Sequence, residues 1–310
     1  MKKLVIIALA VLLITPVVVY YAFPEVLYGM SIRMQRHSAG LEKKSIKVQD
    51  HDIVYLEGGK GDTILLVHGF TASKDNWTQF AKFLTPRYHV VALDLPGFGE
   101  SSKTTEQSYD IESQVVRLDQ FVSKLGLKKF HLAGNSMGGA ISGWYAVHFP
   151  DKVLTLGLFN TGGVVSCEKS KMHKLVEKGE NPLFFESVEQ MDRAMELIFA
   201  DPPALPEAVK RLLVKKTIAD KPFNEKVWKD ISEKGYLLEN DLPRIMTETL
   251  ILWGDKDALI DVSCTKPLEA GLKKSKTVIM KNCGHIPMME RPEESARHYS
   301  EFIQDKAVPL

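Results

Sequence analysis

The run Gly134-Asn135-Ser136-Met137-Gly138-Gly139 restricts the fold of this chain more than any other stretch. It follows a short apolar strand pattern at 130–133 and precedes a helical run at 140–148. A serine between glycines, at a strand-to-helix junction, has a mechanical reading. The chain must turn sharply there, and the serine must take a strained backbone conformation. A side chain at Gly134 or Gly138 would collide as strand and helix close up. The result is a hydroxyl standing clear of the backbone at a helix N-terminus, whose dipole favours developing negative charge. Such a turn needs a buried strand with helices packed against it.

The rest of the chain supplies that sheet. Residues 45–49 and 52–57 read as an opening strand pair around Asp50-His51. Apolar strands follow at 63–67, 88–93, 153–159, 249–253 and 277–280, most of them continuous Val/Ile/Leu runs covered on both faces. Helical patterns separate them. In 111–125, for example, Ile111, Val115, Leu118, Val122 and Leu125 form one stripe, and Gly126 stops it. Repeated strand–helix–strand units predict a doubly wound, mostly parallel α/β sheet of eight strands, with ligands outside the strands' carboxyl ends. Between 159 and 249 the rhythm breaks into helical patterns, with Pro182, Pro202, Pro203, Pro206 and Pro222 expected to cut them short. An insertion of that length is too large for a loop and predicts a helical cap over 161–246. Leu183, Phe184, Phe185, Met191, Met195, Ile198 and Phe199 give it apolar surface, for packing or for a greasy substrate.

A serine hydroxyl needs a base, and the base needs an orienting acid. With a nucleophile elbow the chain order is serine, acid, histidine, with both partners in loops after late strands. Of nine histidines, His285 directly follows the last strand. Asp255 and Asp257 both follow the strand ending at Trp253, and Asp261 lies further on. Asp255 is placed to cap the turn after Gly254; Asp257, deeper in the loop and nearer the base, is the positional choice. An oxyanion hole needs two backbone N–H donors: Met137, after the nucleophile, and Phe70 in His68-Gly69-Phe70, where Gly69 permits close approach. His68 reads as a loop-shaping residue. Gly97 and Gly99, in the segment from Asp94 to Ser101, read as turn formers.

The N-terminus sets a different constraint. From Leu4 to Phe23 no residue is charged, and about 20 residues at helical rise span roughly 30 Å of hydrocarbon. The run is too long for a signal-peptide core, lacks a small-residue cleavage site and ends in Tyr20, Tyr21 and Phe23. It predicts a membrane anchor over 1–24. Val26, Leu27, Met30 and Met34 recur at helical spacing, which predicts a juxtamembrane amphipathic helix over 25–44. Lys2 and Lys3 favour an inside N-terminus, which puts the catalytic domain on the outer, periplasmic face of a bacterial inner membrane, although Arg33, Arg36, Lys43 and Lys44 flank the other side. A homodimer through the anchor is open but has no G-x-x-x-G signature. The core is then divided into 45–160 and 247–310.

Forty basic against 39 acidic residues leave a formal charge of +1, which gives no footprint for nucleic acid. No His/Cys cluster suggests a metal. Cys167, Cys264 and Cys283 form no C-x-x-C pair and read as buried packing residues.

Taken together, the block from His68 to Trp77, the elbow, Trp253-Gly254-Asp255-Lys256-Asp257, Asn282-Cys283-Gly284-His285 and Met289-Glu290-Arg291-Pro292 resemble the α/β-hydrolase superfamily. The resemblance runs from Ser45 to the C-terminus. With the anchor, they most resemble membrane-anchored monoacylglycerol lipases and related bacterial lipases and phospholipases A. The resemblance implies Ser136 as nucleophile, Asp257 as acid, His285 as base, and hydrolysis of lipid carboxylic esters without a cofactor or metal. The elbow is shared with carbon–carbon hydrolases of ring-cleavage products, which stand as the enzymatic alternative; a non-catalytic binder on the same fold is a third.

Overall fold

The computed structural model describes residues 23–235 and 237–306. The expected anchor over 1–24 lies outside them apart from Phe23 and Pro24, and among the described residues no helix is long and apolar enough to cross a membrane. One sheet of eight strands organises the chain, in the order β1-β2-β4-β3-β5-β6-β7-β8. β1 (Leu41–Val48) and β2 (His51–Gly58) form an antiparallel hairpin, and β2 pairs antiparallel with β4 (His89–Leu93). β3 (Thr63–Val67), β4, β5 (Phe130–Asn135), β6 (Val153–Phe159), β7 (Thr249–Gly254) and β8 (Ser275–Met280) run parallel.

Alternation along β3 shows why two apolar layers form. Leu65 and Val67 face one core with α3 (Ile111–Lys124) and α4 (Met137–His148); Ile64 and Leu66 face the other, with Trp77, Phe80 of the one-turn α2 (Thr78–Ala81) and the terminal helix residues Tyr299, Phe302 and Ile303. α3 starts where the Asp110 carboxylate accepts from Ser113 N at 2.9 Å, and its chain turns away at Gly126, φ +70°.

The linker helix expected over 25–44 is shorter than that: α1 runs Pro24–Ser38, and the chain turns at Gly40, φ +63°, into β1. The strand expected at 45–49 begins four residues earlier, because β1 is the sheet's edge and Glu42, Lys43 and Lys44 can expose their charges while their backbone pairs. α1 is fixed to the core by charge. Arg36 makes a bidentate pair with Asp75 at 2.6 and 2.7 Å and reaches Glu100 at 3.1 Å. Beneath it lies Lys74, fully buried, with its ammonium 2.7 Å from Asp94 and 2.9 Å from Glu100. Burial opposes ionisation of the Glu100 carboxyl, but contacts with Lys43, Lys74 and Arg36 hold it down at about 2. The opposite face of α1 leaves Val26, Met30 and Met34 more than half exposed, as is Phe23 just before the helix.

Between β6 and β7 lie α5 (Lys171–Val176), α6 (Val188–Ile198) and α7 (Glu207–Lys234). Pro222 does not end a helix as expected; it sits inside the 28-residue α7. The lost N–H bond is tolerated there because packing, not propensity, holds the helix: Val214, Asn224 and Val227 are buried around the proline.

The cysteines also correct the sequence reading. Cys167 and Cys264 form a disulfide across 97 residues, joining the root of the insertion to the segment after β7. Cys283 is free and buried, and burial pushes its thiol up to about 12. Closing so long a loop restricts the unfolded chain. Serine at both Cys167 and Cys264 is expected to cost about 2–5 kcal/mol in urea unfolding, with reduction of the wild type giving the same shift. An unchanged midpoint would show that the crosslink contributes nothing.

Candidate active site

The carboxyl ends of β3, β5, β6, β7 and β8 deliver the candidate residues to one edge of the sheet. At the end of β5, Ser136 has φ 57° and ψ −122°, a conformation that costs a non-glycine residue about 1–3 kcal/mol. Its neighbours enforce it. A Cβ on Gly134 would lie 2.1 Å from Gly138 O, and one on Gly138 would lie 2.3 Å from Val67 O. Ser136 N donates to Phe159 O at 3.0 Å, and its carbonyl accepts from Gly162 N at 2.9 Å.

After β7 the three acid candidates take different roles. Asp255 faces Lys281 at 3.7 Å, and Asp261 accepts from Ser263 N to cap a short 3-10 turn. Asp257, 7% exposed, lies against the histidine: its Oδ2 is 2.8 Å from His285 Nδ1. The same oxygen accepts from Asn160 Nδ2 at 2.7 Å, while Oδ1 accepts from Leu259 N and Ile260 N at 2.8 and 2.9 Å. Four donors thus hold one carboxylate, and the imidazole's Nδ1 carries the proton it gives to Asp257. That leaves Nε2 as the unprotonated nitrogen of neutral His285.

His285 is itself anchored next to the serine. Its carbonyl accepts from Asn135 Nδ2 at 3.0 Å, and Asn135 directly precedes Ser136. Among the described residues the Ser136 hydroxyl makes no hydrogen bond, to His285 or to any other group. In ligand-free enzymes such contacts commonly tighten only with substrate in place.

The first loop lies against the same hydroxyl. A Cβ on Gly69 would sit 3.0 Å from the Ser136 Cβ. Buried His68 accepts from Leu95 N at Nε2, 3.0 Å, so its Nδ1–H donates to Gly69 O at 2.7 Å. Burial lowers the His68 pKa and keeps the ring neutral. Because the Gly69–Phe70 peptide is trans, fixing its carbonyl on His68 turns the Phe70 N–H the opposite way. Among the described residues neither Phe70 N nor Met137 N donates a hydrogen bond, so both amides remain available to a ligand oxygen. The Phe70 ring meets Phe184 and Trp228 of the insertion at 6.0 and 5.3 Å, and Phe98 at 5.9 Å.

A family model for the α/β hydrolase fold matches residues 62–203. Over 276 residues the chain is 34% identical to Lipase 1 of Psychrobacter immobilis, with 87% of each protein covered. The chain belongs to the α/β-hydrolase family. Within that family it is also 31% identical over 298 residues to monoacylglycerol lipase ABHD6 of Bos taurus, covering 92% of this chain and 88% of that protein. Among solved structures, a membrane phospholipase A described as a bacterial virulence factor matches at TM-score 0.91 and 42% identity, with all of both chains covered. In this α/β hydrolase, sequence reasoning passed over Asn160, which supports Asp257, and the bridging role of Asn135. Asn160 stands directly after β6, so strand-end position was the one signal that pointed to it.

Proposed function

We propose that the protein is a membrane-tethered serine hydrolase that cleaves carboxylic esters of lipids, monoacylglycerols and (lyso)phospholipids being the substrate class. The observation that carries this reading is the Asp257–His285 hydrogen bond formed beside the strained Ser136. Ser136 Oγ attacks the ester carbonyl while His285 Nε2 takes its proton, and Asp257 stabilises the imidazolium that forms. The Phe70 and Met137 amides receive the oxyanion. Collapse of the tetrahedral adduct expels the alcohol, protonated by His285, and leaves an acyl-enzyme. Water activated by the same imidazole then releases the fatty acid and restores the serine.

The lipid class is supported by three separate features. The relatives named above are a lipase, a monoacylglycerol lipase and a phospholipase A. Phe70, Phe184 and Trp228, all half-buried, form an aromatic wall suited to an acyl chain beneath a lid over 161–246. The uncharged run Leu4 to Phe23 and the exposed Val26, Met30 and Met34 suit a tether that keeps the cleft where amphiphilic substrate concentrates. The disulfide favours an oxidising compartment, hence the periplasmic side of an inner membrane.

The test is a screen of detergent-extracted full-length protein against p-nitrophenyl esters, monoacylglycerols, lysophospholipids and phospholipids of graded chain length, with Ser136→Ala as control. Ester turnover that rises with acyl length and vanishes in Ser136→Ala is expected. Turnover of a vinylogous diketone acid with no ester hydrolysis would replace the reading with carbon–carbon cleavage.

A further inference from the structure

One carboxylate joins the helical insertion to the histidine loop. Glu290 ends the short helix Pro287–Glu290, five residues after His285. Its Oε2 accepts from Gly284 N at 2.7 Å, and its Oε1 accepts from both Ala200 N and Asp201 N at 3.0 Å. The two halves of the carboxyl therefore hold different pieces of chain. One is the peptide that presents His285; the other is the strand of backbone leaving α6. A second bond runs along the same seam, from His285 N to Ile198 O at 2.7 Å.

Apolar packing shares this work, since Phe199 of the insertion and Cys283 and Ile286 of the histidine loop lie in one buried core, with Ile198 against it. A cavity of about 440 Å³ opens along the seam, lined by Phe199, Ala200, Lys256, Ala258, Asn282 and Arg291. The backbones nevertheless lie flat on one another. A Cβ on Gly284 would come within 2.5 Å of Ile198 O, and one on Gly254 within 2.1 Å of Gly284 O. The insertion, the histidine loop and the start of the acid loop are thus stacked three deep, and hydrogen bonds between backbones and the Glu290 carboxylate set their register on top of the side-chain burial.

We infer that Glu290 is a positioning residue for the reaction proposed above: by clamping 200–201 to Gly284 it makes the seating of the insertion set the placement of the His285 imidazole. Both oxygens are required. A glutamine at 290 keeps one acceptor and turns its NH2 against an N–H donor on the other side. An aspartate is one methylene too short to bridge. Misplacing a catalytic group by about 1 Å can cost on the order of 100-fold in rate.

The inference rests on the serine-hydrolase reading, and the experiment separates the two. In detergent-extracted full-length protein, active sites are titrated with a fluorophosphonate, and kcat and KM for a p-nitrophenyl ester are measured per titrated site. Glu290→Gln and Glu290→Asp are each expected to lower kcat by roughly 10- to 100-fold with KM within about threefold. A kcat per titrated site equal to that of the wild type would overturn the role of Glu290, even if stability falls. Full activity of Ser136→Ala would instead overturn the underlying reading. Should the Glu290 variants not fold, hydrogen exchange on the wild type decides: the Ala200, Asp201 and Gly284 amides are expected to exchange as one cooperative unit, and independent exchange overturns the clamp.

Discussion

Alanine at Ser136 or at His285 is expected to lower kcat for ester hydrolysis by about 10⁶-fold, and the double variant by little more, because in the proposed mechanism the two groups act as a unit. Residual turnover above the uncatalysed rate should persist from the Phe70 and Met137 amides and from substrate binding. Asp257→Asn is informative in a different way. Oδ1 must remain an acceptor for Leu259 N and Ile260 N, so the new NH2 falls at the position of Oδ2, facing His285 Nδ1. Nδ1 then becomes an acceptor and the proton moves to Nε2, the nitrogen that takes the serine's proton in the proposed mechanism. Asn160 can adapt by turning its Oδ1, which has no partner among the described residues, toward the new amide. A loss of roughly 10⁴-fold with the fold intact is therefore expected. Steady-state kinetics with a p-nitrophenyl ester measures all three; a loss below about tenfold in His285→Ala would remove the imidazole from the chemistry.

The largest effect on stability is expected at Lys74. Its ammonium is buried between Asp94, itself fully buried, and Glu100, and Asp75 lies 3.5 Å away. Lys74→Met keeps most of the volume but leaves Asp94 charged in the interior with only backbone donors among the described residues, the N–H groups of residue 74 and Glu100. Removing one partner of such a pair costs about 3–5 kcal/mol, a large share of the 5–15 kcal/mol that holds a domain together. Urea midpoints measure it, and a change under about 1 kcal/mol would contradict the assignment of Lys74 as the centre of the network. The same network sets an acid limit. The Glu100 carboxyl has a folded pKa near 2, below its ordinary 4.5. Its contribution is fully present above 4.5 and is lost as pH falls from there through 2.

The features legible in the sequence are those that local chemistry forces. Ser136 needs glycines at 134 and 138 because backbone oxygens lie where their side chains would be, and no other residue type fits. The parallel strands are continuous apolar runs because both faces are covered. The first half of β1 escaped because an edge strand can be charged, as Lys43 and Lys44 are, and still pair along its whole length. Pro222 misled because burial of Val214, Asn224 and Val227 offsets the roughly 3 kcal/mol that one proline costs a helix.

Other features depend on distances that only folding sets. Cys167 and Cys264 are 97 residues apart, and nothing local distinguishes them from Cys283. Asn160 matters because β6 ends beside the Asp257 loop. Glu290 matters because the insertion returns past the histidine loop at Ala200 and Asp201. Each of these roles belongs to a crossing of chains, not to a motif.

The most direct measurement is covalent: detergent-extracted full-length protein is treated with a fluorophosphonate, digested and sequenced by tandem mass spectrometry. A single adduct on Ser136, formed at least 100-fold more slowly in His285→Ala, is the expected result. An adduct elsewhere, or ester hydrolysis that continues while Ser136 stays unmodified, would contradict the assignment of Ser136 as the nucleophile.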